Sequence, residues 1–365
     1  MRILALQLKR IGDLVLTTGA LRAIRAAWPE AHLALGVSEG CASLLGAIDS
    51  IDTHLVFGPG RGWAPWQQSL TGHFDVCLDF TGTDRSALAT ALSRAPDRRT
   101  FAWVRKRKLR SLAYHHFIES SVRERHACDH YSDLAQSILP PGTPTPDAAP
   151  FLSIPAAVKT RAAELLQQHG ITRPFAVLHP GTARPEKFWL TERWLAVAAD
   201  LRLRHGLDLV LTGGRDPAEI TQLAAIAATR DQAVRSLSPD RLPGPPAGTI
   251  ANFAGQTDLL TLAALVERAA LVVSCDTAIV HIAAAFRRPQ IALFGPTNPF
   301  HWRPRHDLAR VISAAQPESP LTTFTPRMRG APMDRISTDA VIRVTEEVLA
   351  VQPPRLNAGR SAAPS

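Results

Sequence analysis

The chain has 365 residues, 45% of them apolar and 20% charged, which is ample for a buried core and favours two domains over one. No apolar run reaches the roughly 18–20 residues of a membrane-spanning helix, and Lys9, Arg10 and Asp13 interrupt the first apolar stretch before it reads as a signal peptide, so a cytoplasmic protein is expected. A net charge of +9 admits nucleic acid, an anionic membrane surface or an anionic substrate, without choosing among them.

The predicted elements follow the alternation of a parallel sheet covered on both faces. Ile3–Leu8 reads as a strand, Lys9–Gly12 as a loop, and Asp13–Ala27 as a helix with Leu14, Leu21 and Ile24 at core spacing. His32–Val37, Thr53–Phe57 and Phe74–Phe80 continue as strands. Residues 139–150 (LPPGTPTPDAAP) break the rhythm and form the expected linker, closing a first domain over 1–150. The alternation restarts in 151–335: strands Phe175–His179, Leu207–Thr212, Ala270–Cys275 and Gln290–Phe294, with helices between them. A closing helix is expected within 336–352 and a disordered tail over 353–365. The fold class is therefore α/β: two Rossmann-like domains whose parallel sheets face a central cleft, with ligands beyond the carboxyl ends of the strands. Cys41, Cys77, Cys128 and Cys275 show no CxxC spacing, so neither disulfides nor a zinc site are expected.

The chemistry-bearing residues fall at strand-to-helix turns. The first turn carries Gly12 and Asp13 but no GxGxxG, which argues against a nicotinamide enzyme; Asp13 reads equally as a functional carboxylate or a helix cap. His179-Pro-Gly-Thr-Ala-Arg-Pro-Glu-Lys187 leaves a strand and offers Thr182 and Lys187. A flexible cation there suits a diphosphate, although a lone lysine is more often simply solvated. Gly213 and Gly214 allow a ligand close to the backbone. Asp216 or Glu219 then serves either a ribose or the N-terminal end of the next helix, and the residues alone do not separate these. The strongest element is Ser274–Ala285. A buried strand ends at Asp276, and a helix of small residues begins with Thr277, Ala278, Ile279 and Val280, whose backbone N–H groups suit phosphate oxygens. His281 lies one turn beyond Thr277, and the loop at Gly295 walls the same pocket.

Taken together, IGDLVLTTGALRAIR, HPGTARPEKFW, LTGG, SCDTAIVHIAAA and LFGPTNP resemble, in order and spacing, the family 9 glycosyltransferases, over roughly residues 1–300. The resemblance implies a GT-B fold and an inverting, metal-independent transfer that uses no cofactor. It also implies an N-terminal domain for the acceptor and a C-terminal domain for a nucleotide-diphosphate sugar such as ADP-heptose. Asp13 matches the family's proposed general base, Lys187 its phosphate-binding lysine, and Asp276 to His281 its donor loop. Ala278 stands where many relatives carry glycine, which sets the backbone farther from the donor. The expected acceptor is a lipopolysaccharide core or related anionic glycolipid. Lys9, Arg10, Arg105, Arg107 and His126 are the acceptor-side candidates.

Arg94 to Arg125 holds ten Lys or Arg, with Trp103 and Tyr114 interleaved. We rank a grip on acceptor phosphates and the anionic inner leaflet of the inner membrane first, giving peripheral membrane contact. A solvated loop comes second, and nucleic acid, for which no recognition motif is present, a distant third. A nucleotide-sugar epimerase and a non-catalytic nucleotide-binding protein are the competing readings, since fold likeness alone does not decide chemistry.

Overall fold

The computed structural model describes residues 1–144, 147–228 and 248–351; the tail expected at 353–365 lies outside them. The first sheet contains β1 (Arg2–Gln7), β2 (His32–Ser38), β3 (Thr53–Phe57), β4 (Val76–Asp79), β5 (Asp97–Phe101) and β6 (His116–Ile118), in the order β3-β2-β1-β4-β5-β6. The second contains β7 (Phe175–His179), β8 (Asp208–Leu211), β9 (Ile250–Asn252), β10 (Leu271–Cys275), β11 (Gln290–Phe294) and β12 (Ala309–Ser313), in the order β12-β11-β10-β7-β8-β9. Every pairing is parallel. The two orders are the same doubly wound arrangement. Each sheet reverses direction beside its first strand, between β1 and β4 and between β7 and β10, which is where such folds hold ligands.

Central strands are apolar throughout because both faces are covered: Ile3 to Leu6 and Leu271 to Val273 are all essentially inaccessible to solvent. β5 and β6 fall inside the basic stretch, where charge obscures the strand pattern. Arg98 turns its guanidinium back onto the carbonyls of Ala95 and Ala113, and Arg99 folds onto Asp97, so these cations lock an edge of the sheet. The stretch is therefore only partly an exposed loop.

The two halves are joined by more than a linker. One apolar core runs from Ile3, Leu14 and Leu21 through to Val177, Val272, Ile279 and Ile282, and the helix Ile11–Ala27 packs directly on the helix Ala278–Ala285. Arg305 grips Asp129 across the interface with two bonds of 2.8 Å. Within the expected linker, the carbonyls of Ala148 and Ala149 press on the first helix at Gly19, where a Cβ would lie 2.6 Å from the Ala149 oxygen. Among the described residues, no helix is long and apolar enough to cross a membrane. All four cysteines are buried free thiols.

Burial also sets a pH dependence. Desolvation holds both His126 and His130 to about 3, well below the ordinary 6.5, with Arg305 adding to the effect on His126 and Lys9 on His130. The folded chain keeps both rings neutral, whereas the unfolded chain protonates them below pH ~6.5. Stability present above that pH is thus lost as pH falls toward 3, by about 1.4 kcal/mol per pH unit for each ring. The melting temperature should fall between pH 7 and 5, and less steeply in a His126→Gln variant; parallel slopes in calorimetric scans would exclude His126 as a source.

Candidate active site

The helix Ile11–Ala27 starts two residues earlier than its sequence suggests, with Arg10 at the cap position. Asp13 is therefore the third helical residue and not the cap. Its carboxylate turns away from the helix backbone, and Oδ1 accepts a 2.5 Å hydrogen bond from the Tyr131 hydroxyl. Tyr131 lies on the helix Ala127–Gln136, is buried, and has its phenol pushed well above its usual range by desolvation and then by the Asp13 charge. Thr17 closes the arrangement, bonding the Asp13 carbonyl at 2.8 Å and accepting from Gln7 Nε2 at 2.8 Å. Sequence reasoning did not find Tyr131, because nothing local connects positions 118 residues apart. Tyr131→Phe keeps the ring packing and removes the hydroxyl that bonds the Asp13 carboxylate. It should lower kcat about tenfold while the melting temperature moves little, since the half-buried carboxylate remains free to take a water partner. Wild-type kcat in this variant would deny Tyr131 a positioning role.

Across the interface, Lys187 closes the short turn Pro185–Lys187 after β7. Its side chain is only 13% exposed, and Nζ pairs with Asp276 Oδ2 at 2.6 Å and with the Asp276 carbonyl at 3.2 Å. It is thus a fixed, largely buried cation and not a solvated lysine. Asp276 ends β10, and Thr277 precedes the helix Ala278–Ala285 with no side-chain cap. The Val280 N–H bonds the Thr277 carbonyl at 3.2 Å; the N–H groups before it have no intrahelical acceptors, as at any helix start, and the positive end of the dipole points at the turn. Ile279 and Val280 are buried, and Thr277 and Ala278 are the partly exposed residues of the turn.

His281 joins the two halves. A Cβ at Gly12 would lie 2.8 Å from His281 Cδ2, so only glycine lets the first helix approach this ring. Burial lowers the His281 basicity, opposed by the nearby charges of Asp276 and Asp13, while Lys187 adds to the lowering. Asp13, Lys187, Asp276 and His281 consequently share one electrostatic neighbourhood. Beside His281, Leu16, His126, Arg303 and Arg305 line a cavity of about 180 Å³ between the halves.

Other candidates take structural positions. Glu219, not Asp216, reaches the glycine turns: its carboxylate accepts from Gly214 N at 2.5 Å, lies where a Cβ on Gly181 would sit, and would be 3.2 Å from one on Gly213. Asp216 accepts from Ala218 N and caps the helix Pro217–Ala228. Thr182 is buried and bonds the Arg184 amide, and Gly295 makes room for Met333. His126 has both ring nitrogens engaged, Nδ1 by the Cys128 amide and Nε2 by the Arg303 carbonyl, so it pins the interface and caps a helix. Arg10, Arg105 and Arg107 are exposed and Lys9 partly so; Arg105 and Arg107 lie in the segment after β5, away from the turn that carries Lys9, Arg10 and Asp13. Among the described residues no three His, Cys, Asp or Glu side chains group to hold a metal ion.

The architecture has known counterparts. The chain is 24% identical over 315 residues to the lipopolysaccharide core heptosyltransferase OpsX of Haemophilus influenzae, covering 84% of this chain and 83% of that protein. Its fold matches the structure of E. coli ADP-heptose lipopolysaccharide heptosyltransferase II with a TM-score of 0.74 at 20% identity, over 96% of this chain and 99% of that one. E. coli heptosyltransferase WaaC with ADP-2-deoxy-2-fluoro heptose matches with a TM-score of 0.67 at 23% identity, over 95% and 99%. These two share the GT-B fold with it. The profile of glycosyltransferase family 9 (heptosyltransferase) matches residues 63–330, a span that holds Lys187 and the Asp276–His281 turn. This chain belongs to glycosyltransferase family 9.

Proposed function

We propose that the chain transfers heptose from ADP-heptose to a lipopolysaccharide core or related anionic glycolipid, with inversion at the anomeric carbon and without a metal ion. The observation that carries this reading is the meeting of Asp13 from one half with Lys187, Asp276 and an uncapped helix N-terminus from the other, through the contact of Gly12 with His281. The names of the similar proteins, which include an ADP-heptose heptosyltransferase and a heptosyltransferase with an ADP-heptose analogue, support the donor.

In this reading residues 1–150 hold the acceptor and 151–335 the donor. An acceptor hydroxyl attacks the anomeric carbon. Its new C–O bond forms as the bond to the phosphate oxygen breaks, Asp13 takes the hydroxyl proton, and ADP departs. A carboxylate is a weak base, so the proton moves late, as the hydroxyl becomes acidic through bonding. Lys187 and the N–H groups at the start of the helix, residues 277–279, meet the charge growing on the diphosphate. Gly213 and Gly214, their spacing set by Glu219, border the nucleotide. Lys9 and Arg10 border the acceptor, and the exposed basic segment with Arg105 and Arg107 faces the anionic leaflet.

The test is calorimetric titration with ADP, UDP, GDP and CDP in the presence of EDTA, followed by transfer assays with truncated lipopolysaccharide. Binding of ADP alone, and transfer that needs acceptor, are expected. Preference for another nucleotide would keep a transferase and discard heptose. Loss of binding or transfer on chelation would overturn metal independence, and a donor altered without acceptor would indicate an epimerase.

A further inference from the structure

The two most exposed large apolar side chains of the described residues stand side by side: Leu109 is 87% and Leu112 79% exposed. They lie three positions apart at the short helix Lys108–Ser111 and its C-terminal cap, hence on one side of it. We infer that they form a wedge that inserts below the headgroups of an anionic bilayer, with Arg105, Lys106, Arg107 and Lys108 seated on the lipid phosphates. This deepens the reading of the basic segment as a membrane-facing surface, and it names what that surface does.

The leucines do not point outward by looseness. Val104, Ala113 and Tyr114 of the same segment are buried together with Ala87, and the Tyr114 hydroxyl donates to the buried Asp79 at 2.5 Å. Arg110 bonds Asp84 and the Gly82 carbonyl. Gly82, at φ +69°, accommodates the Trp103 indole, whose ring carbons would lie within 2.8 Å of any Cβ there. A segment fastened at four points thus holds two leucines in water. Leu88, 49% exposed, lies on the adjoining helix Asp84–Leu92.

The surrounding charge selects the occupant. Among the described residues, Lys106, Arg107 and Lys108 have no carboxylate within ion-pair distance, and Arg105 has only Glu119 at 3.9 Å. A second copy would bring the same four cations against these, which is repulsive. Nucleic acid would leave the leucines in water. An anionic bilayer offers both hydrocarbon for the leucines and phosphates for the cations, and long basic side chains lie naturally at that boundary.

The experiment is co-sedimentation with vesicles of phosphatidylcholine alone and of phosphatidylcholine mixed with phosphatidylglycerol. The proteins are wild type, Leu109→Ser/Leu112→Ser and Lys106→Gln/Lys108→Gln. Wild type should bind the mixed vesicles and not the neutral ones, and each double variant should bind about tenfold more weakly. Melting temperature and ADP affinity should match wild type throughout, since none of these residues lies near the donor turns. If the leucine variant binds as wild type while the lysine variant is lost, the contact is electrostatic only: the wedge is wrong and the membrane-facing reading stands. If wild type binds neither vesicle, both are wrong. A wild-type dimer in solution that the leucine variant dissolves would assign the surface to a second copy and overturn the inference.

Discussion

Replacing Asp13 with alanine should reduce the rate of transfer by about 10²–10⁴-fold while ADP affinity stays at the wild-type level. The two effects separate because of where the residue sits. Asp13 belongs to the first helix and is held by Tyr131 and Thr17, all in the half opposite Lys187 and the Asp276 turn. Removing its carboxylate leaves Lys187, Asp276 and the helix Ala278–Ala285 in place. Fold loss is not a confounder: the carboxylate is half-buried, and the buried tyrosine hydroxyl that loses it costs only about 1–3 kcal/mol. The check is a turnover assay beside a calorimetric ADP titration. Unchanged turnover would remove Asp13 from the mechanism, and a parallel loss of ADP binding would mean that the variant has disturbed the interface through Gly12.

Lys187→Ala should act on both quantities, weakening ADP binding and lowering kcat, the latter by about 10²-fold or more, the scale found when a preorganised charge-stabilising donor is removed. The Lys187 side chain is 13% exposed, and its ammonium is paired at 2.6 Å with Asp276, whose own side chain is 9% exposed. Deleting the cation therefore leaves a buried acid without its partner, directly beside the turn that would meet the diphosphate, so electrostatic repulsion adds to the lost attraction. Lys187→Arg is the sharper control. A guanidinium keeps the charge but does not fit a site that places one nitrogen between a carboxylate and a carbonyl, so partial recovery of ADP affinity with little recovery of rate is expected. Wild-type ADP affinity in Lys187→Ala would refute the phosphate role.

Much of the architecture was legible because interior parallel strands are apolar on both faces: β1, β7, β10 and β11 announce themselves, and the motif residues fall at their ends. β5 and β6 did not, because Asp97, Arg98, Arg99 and His116 lie on the last two strands at one side of the sheet, and their side chains pair with one another and with carbonyls. Their charge is consistent with solvent until the partners are seen. At the site, local pattern left Asp13 as carboxylate or cap and Lys187 as bound or solvated, and only the combined motifs singled them out with the Asp276–His281 turn. Which acid at 216 or 219 did what could not be chosen, since the answer is a long-range contact of Glu219 with glycines from two different turns. Tyr131 and the interface role of His126 were hidden for the same reason: each acts on a partner more than a hundred residues away.

The continuous apolar core and the seat of His281 on Gly12 bear on how this scaffold can be re-engineered. Two doubly wound halves invite chimeras, with one parent supplying acceptor preference and the other the donor. Here the halves are not interchangeable cassettes, since the junction is made of specific knobs: a ring that needs glycine opposite it, Arg305 facing Asp129, and His126 on the carbonyl of Arg303. A graft that exchanges sequence at the linker alone would place unmatched surfaces face to face. A productive crossover has to carry the first helix together with the helix Ala278–Ala285 from the same parent, so that specificity is recombined without recombining the seam.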